Sequence, residues 1–250
     1  MDSPLEPVLP PQIPHTPLVR EAFSYPPHWS AQKLLAWNEE DRSQDFRFET
    51  AYSWSSQHSI NVFEVVGTAH PDYIGLTWLQ FLAQGKRMRN NISLQESNPG
   101  YYLDQDVKQP TMYYVRTDKS GWYVDGDGNH RTCLARFFFG KTGRTMLHGV
   151  TVGVHHIDEH AKWVFQWLQD LIIQKSVPLQ IQPVKKKLAR EDSGGWMRET
   201  FSLGIHFVDL RTKVQGTMTI PEAERLAIRI DRKMSLVEWL RARNLRTIHR

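Results

Sequence analysis

The segment Val124-Asp125-Gly126-Asp127-Gly128-Asn129-His130-Arg131 constrains this chain more than any other. Residues 111–116 and 121–124 read as two strands joined at Asp118-Lys119-Ser120-Gly121, and the second strand runs straight into this segment. Asn129 suits a helix cap, and the following helix is predicted to run to Phe139 and stop at Gly140. Leu134, Phe137 and Phe138 make its buried face. A helix start carries unpaired N–H groups and a partial positive charge. Gly126 and Gly128 let a ligand approach the backbone. The turn is therefore a candidate phosphate cradle, with Asn129 beside it.

The side chains extend that reading. Arg131 faces solvent in this scheme and can fork onto two phosphate oxygens, and His130 can donate a hydrogen bond or move a proton. Asp125 and Asp127 would repel a bare polyphosphate, so they fit best if one holds a divalent cation such as Mg²⁺ or aligns water. Asp127, His130 and Arg131 are the candidate catalytic groups on this view. The same residues also suit a plain turn, a capped helix and a solvated arginine, and composition leaves both readings open.

The rest of the chain sets the frame. Apolar residues make up 40% and charged residues 23%, the balance of an ordinary globular protein, and no run of about 18 apolar residues predicts a membrane span. Cys133 is the only cysteine, which excludes an internal disulfide and a cysteine-only metal site and points to a reducing cytoplasm. Eight of the 14 prolines fall within residues 1–27, so an extended N-terminal arm is expected. A short helix capped by Ser30 is expected over 30–40, a strand over 59–68, a helix from Leu76 to Met88, a strand over 146–158 and a helix over 159–175. Runs 178–190 and 196–210 flank Asp192-Ser193-Gly194-Gly195 as a hairpin, and 221–243 is helical in pattern. The expected organisation is α+β: an arm at 1–30, a core at 31–175, and a hairpin with a basic helical extension at 176–250.

The formal charge is +4, and residues 221–250 hold eight Lys/Arg against four acids, an excess equal to that of the whole chain. Such an end can meet nucleic acid or anionic lipid, or simply be a solvated helix face. Lys185-Lys186-Lys187 and Arg190 on the hairpin suit either DNA contact or protection of a strand edge. Gly140-Lys141-Thr142 is not a Walker loop, because Ala135 stands where its first glycine belongs. His156 and His160 are spaced for chelation, but a strand-to-helix boundary falls between them and Asp158 suits a cap. Glu64 lies on the predicted strand, either exposed or as a pocket carboxylate.

The stretch Met112 to Arg136 resembles the core of the ParB/sulfiredoxin superfamily, in its order of strand, turn, strand ending in Asp-Gly, and Asn-His-Arg entering a helix. The Asp127-Gly128-Asn129-His130-Arg131 turn is most similar in style to plasmid fertility-inhibition proteins of that superfamily. The likeness spans residues 60–175. It implies a small mixed sheet flanked by helices, binding of ATP or another nucleotide, and ATPase or DNase activity. It also implies DNA and the conjugation or type IV secretion machinery as partners, in the bacterial cytoplasm. Asn129 stands where sulfiredoxins carry their catalytic cysteine, so sulfinic-acid reduction is not expected, and Cys133 is expected to pack in the core. No helix-turn-helix follows the core, which argues against chromosome partition.

Overall fold

The computed structural model describes residues 9–232. It is a mixed α+β structure built as two units. The first comprises Met1–Glu39, Ser53–His155 and Asp192–Met197; the second comprises Glu40–Tyr52, His156–Glu191 and Arg198–Arg250. Each unit gathers separate stretches of chain.

In the first unit the arm is not wholly extended. Helix α1 (Pro17–Ser24) forms because Thr16 caps Val19 N–H and Pro17 occupies the first turn, where its missing donor is no loss. It buries Leu18, Val19 and Ala22. The helix expected over 30–40 is absent. In its place stand a short 3₁₀ turn (His28–Ala31), strand β1 (Leu35–Ala36) and the start of helix α2 (Glu39–Phe46).

β1 pairs in parallel with β3 (Val65–Thr68), and this pairing needs Gly67: a Cβ there would lie 2.0 Å from the Leu35 carbonyl oxygen. The run 59–68 is interrupted as well. β2 (Glu49–Asn61) ends at a 3₁₀ turn (Val62–Glu64), and β3 (Val65–Thr68) begins after it. The Asn61 side chain, accepting from Phe63 N–H, sets that break and carries Glu64 off the strand.

The single helix expected from Leu76 to Met88 is two. α3 (Trp78–Gln84), closed by a reciprocal Thr77–Gln80 cap, stops at Gly85, and α4 (Met88–Ser97) follows. α5 (Gly100–Leu103) leads to the predicted hairpin, β4 (Tyr113–Thr117) and β5 (Trp122–Val124), paired antiparallel. α6 (Asn129–Thr142) passes Gly140 without stopping and ends at Gly143, whose φ is +69°. β6 (Met146–Ile157) then returns parallel to β4.

The hydrogen-bonded order in this unit is β1-β3-β5-β4-β6-β2. Its core gathers Trp78, Phe81, Leu134, Phe139, Val150 and Val152. Cys133 is buried there as expected, its thiol against the Trp78 carbonyl and its pKa pushed up by burial.

The second unit contains α7 (Glu159–Gln174), β7 (Leu179–Ser193), β8 (Trp196–Asp209), β9 (Gln215–Met218) and α8 (Ile220–Asp231). β8 pairs with β7 and, antiparallel, with β9. α7 and α8 share a core with Phe48, Leu168, Phe207 and Leu226. Asp158 caps α7 through Ala161 N–H. Two of the three hairpin lysines are paired, Lys185 with Glu49 and Lys187 with Glu199. Most of the basic extension, residues 233–250, lies outside the described residues.

Candidate functional site

The turn at Asp125–Gly128 sits where β3 and β5, parallel neighbours, both end; their last registered pair is Thr68 and Val124. Open α/β sheets place their ligands at the carboxyl ends of such strands. The loop after β3 is tied to this edge by Ala69 N–H donating to the Val124 carbonyl at 2.9 Å. The turn itself folds back on β4, with Asp125 N–H bonded to the Tyr113 carbonyl and Tyr113 N–H to the Asp127 carbonyl.

Asn129 does not cap the helix. Gly128 takes the cap position at φ +118°, and Asn129 is the first helical residue, only 6% exposed. Its Oδ1 accepts from the Thr68 hydroxyl at 2.6 Å, and its Nδ2 donates to the Gly126 carbonyl at 3.4 Å. The Thr68 hydroxyl in turn accepts from His70 N–H at 2.9 Å. Asn129 therefore welds the helix start to the two loops. The result is a helix whose first turn has no side-chain cap. An uncapped helix start carries unpaired amides and a partial positive charge.

Arg131 is not the solvated fork that the sequence suggests. Its side chain is 12% exposed and engaged on every side. Nη1 donates to the Tyr101 hydroxyl at 2.5 Å and to the Pro110 carbonyl, Nη2 donates to the Thr111 carbonyl at 3.1 Å, and Nη2 lies 3.0 Å from an Asp127 carboxylate oxygen. The other Asp127 oxygen accepts from Gly128 N–H at 2.7 Å. Such charge-assisted bonds make Arg131 a clamp on the 110–111 segment.

His130 is held too. Its Nε2 accepts from Arg87 N–H at 3.2 Å and lies 3.3 Å from the Tyr73 hydroxyl, with the Tyr73 and Phe81 rings against it. Burial, followed by the nearby Arg87 and His70 charges, lowers its pKa to about 4. His130 is therefore neutral at physiological pH, and Nε2 is an acceptor rather than a proton donor.

No group of three His, Cys, Asp or Glu residues among the described residues is placed to hold a metal ion. The Asp127 oxygens are engaged by Gly128 N–H and Arg131, and Mg²⁺ commonly arrives with its phosphates and needs few protein ligands. Of the other candidates, His160 faces Glu224 and His156 belongs to a strand, so the two do not share a helix face. Lys141 pairs with Glu21.

Sequence reasoning missed Thr68 and Tyr101. Thr68 ends a strand that the β-branched pattern shows, so its loop was traceable. Tyr101 carries no pattern that would single it out. Compared with family models, with curated proteins and with solved structures, the chain has no match.

Proposed function

We propose that this chain binds a nucleoside polyphosphate, with a phosphate seated on the first-turn amides of α6. The single observation that carries the proposal is the uncapped start of α6 behind Gly128, at the carboxyl ends of two parallel strands. A helix start in this setting attracts anions through unpaired N–H groups and the helix dipole. Arg87, whose backbone N–H bonds His130, lies beside the same turn and adds positive charge. The ParB/sulfiredoxin resemblance supports the same ligand class, ATP or a related nucleotide.

The geometry favours holding the nucleotide over hydrolysing it. His130 accepts at the nitrogen it would need to donate from, and Arg131 is spent on Asp127 and two carbonyls. The neutral His130 and the clamped Arg131 therefore position the turn. On this reading the nucleotide acts as a conformational ligand, and DNA and the conjugation apparatus are the partners that the resemblance suggests.

A second reading, ATPase or DNase activity with Asp125, Asp127 and Mg²⁺, is favoured by one fact: the Asp127 side chain is 64% exposed, so a ligand can compete for it. That reading needs Arg131 released onto a phosphate.

Titration of ATP, ADP and tripolyphosphate, with and without Mg²⁺, tests the first reading through a rise in melting temperature. No shift with any of them sinks it. Phosphate release or nicking of a DNA duplex, lost in Arg131→Lys, would move the assignment to the second. DNA binding through basic segments predicts affinity falling steeply with salt, and a salt-indifferent affinity would remove that partner.

A further inference from the structure

We infer that the cavity between α4, α5 and the Gln109–Pro110 segment is a nucleobase pocket. It has a volume of about 200 Å³. Pockets for drug-sized ligands run to about 300–1,000 Å³, so this one admits a single ring system. Its apolar lining comes from Leu94, Tyr101, Tyr102 and Pro110. A flat heterocycle buries its faces well against such groups.

The polar lining is chemically selective. Asn91, Gln95, Asn98 and Gln109 all border the cavity, and no carboxylate does. A carboxamide offers both donors and an acceptor, which suits the mixed edge of a base. Gln95 is the informative member. It is 5% exposed and borders the cavity. A base edge that offers both an acceptor and a donor pairs with the Gln95 carboxamide. The same side chain also borders a shallow groove beside Thr16 and Lys141. That groove is lined by Glu96 and offers no second carboxamide.

Arg131 joins this pocket to the proposed phosphate seat. Its side chain lines the cavity wall, and its backbone belongs to the first turn of α6. The link between base and phosphate rests on the nucleotide reading above; the pocket's preference for a base does not.

The test uses the full chain and bare nucleosides. Saturation-transfer NMR with adenosine, guanosine, cytidine and uridine reads the base alone, and calorimetry with sodium tripolyphosphate reads the phosphate seat alone. The variants are Gln95→Met, which removes the amide at similar volume, and Gln95→Trp, which fills the cavity. Melting curves identify variants that remain folded. Expected are base-proton transfer that discriminates among the four nucleosides in the native chain and a loss of at least about tenfold in affinity in Gln95→Met. Gln95→Trp should show no transfer, and tripolyphosphate affinity should hold in both variants. Absence of nucleoside transfer in the native chain, or transfer unchanged in both variants, overturns the pocket. Loss of tripolyphosphate binding in the native chain overturns the phosphate seat instead.

Discussion

The guanidinium of Arg131 lies 3.0 Å from the carboxylate of Asp127, across the turn that starts α6. This pair decides how the turn behaves. It neutralises the arginine that a phosphate would use, and it holds the loop that a ligand would move. An anion arriving at the helix start competes with Asp127 for the same charge.

Asp127→Asn should therefore strengthen anion binding. Removing one negative charge beside the helix start is worth about 1 kcal/mol at low salt, or about fivefold in tripolyphosphate affinity. Calorimetry at two salt concentrations checks it, because the gain should shrink as salt rises. Weaker binding in the variant would mean that Asp127 helps hold the ligand.

Arg131→Ala should destabilise the fold, since the side chain bonds two backbone carbonyls and the Tyr101 hydroxyl. The expected loss is about 2–4 kcal/mol, read as a lower urea midpoint with an unchanged slope. A stability equal to the native protein would show that the clamp is not formed in solution.

Gly128→Ala should lose about 1–3 kcal/mol. At φ +118° an L residue is strained, and the new Cβ would lie 3.2 Å from Met112 Cβ. Gly126→Asn is the control: φ is +70° and the position is open, so that change should be nearly neutral. Thermal melts of the two variants make the comparison, and equal losses would refute the assigned backbone.

His130 sets a pH dependence. The folded state binds its proton only near pH 4, whereas the unfolded chain binds it near the ordinary histidine value of 6.5. Between these values the unfolded state holds more protons, so acidification favours unfolding. The contribution is intact above about pH 6.5 and is lost progressively down to about pH 4. Melting temperatures across this window should fall less steeply in His130→Gln. Parallel profiles for the two proteins would contradict a neutral, buried His130.

Arg136 predicts a large effect far from any ligand. It is 1% exposed, its Nη1 bonds the Val62 and Val65 carbonyls, and its guanidinium lies over the Trp29 and Trp78 rings. Arg136→Lys keeps the charge and loses the planar contact with both rings, so about 3 kcal/mol of stability should go. Chemical denaturation measures it, and a loss below about 0.5 kcal/mol would sink this account.

Local signals in the sequence determined the β4–β5 hairpin, the start of α6, the capped entry of α7 and the burial of Cys133. In these places turn chemistry, capping and apolar spacing act over a few residues, which a linear reading can follow. Contacts distant in sequence decided the rest. β1 forms because Gly67 lets Leu35 come close, and the strand before Val65 breaks because Asn61 and Arg136 hold its carbonyls and amides. Tyr101, Pro110 and Thr111 lie 20 to 30 residues before Arg131, yet they turn a candidate phosphate fork into a clamp. Such partners leave no periodic trace, because a hydrogen bond depends on the distance between atoms and not on spacing along the chain.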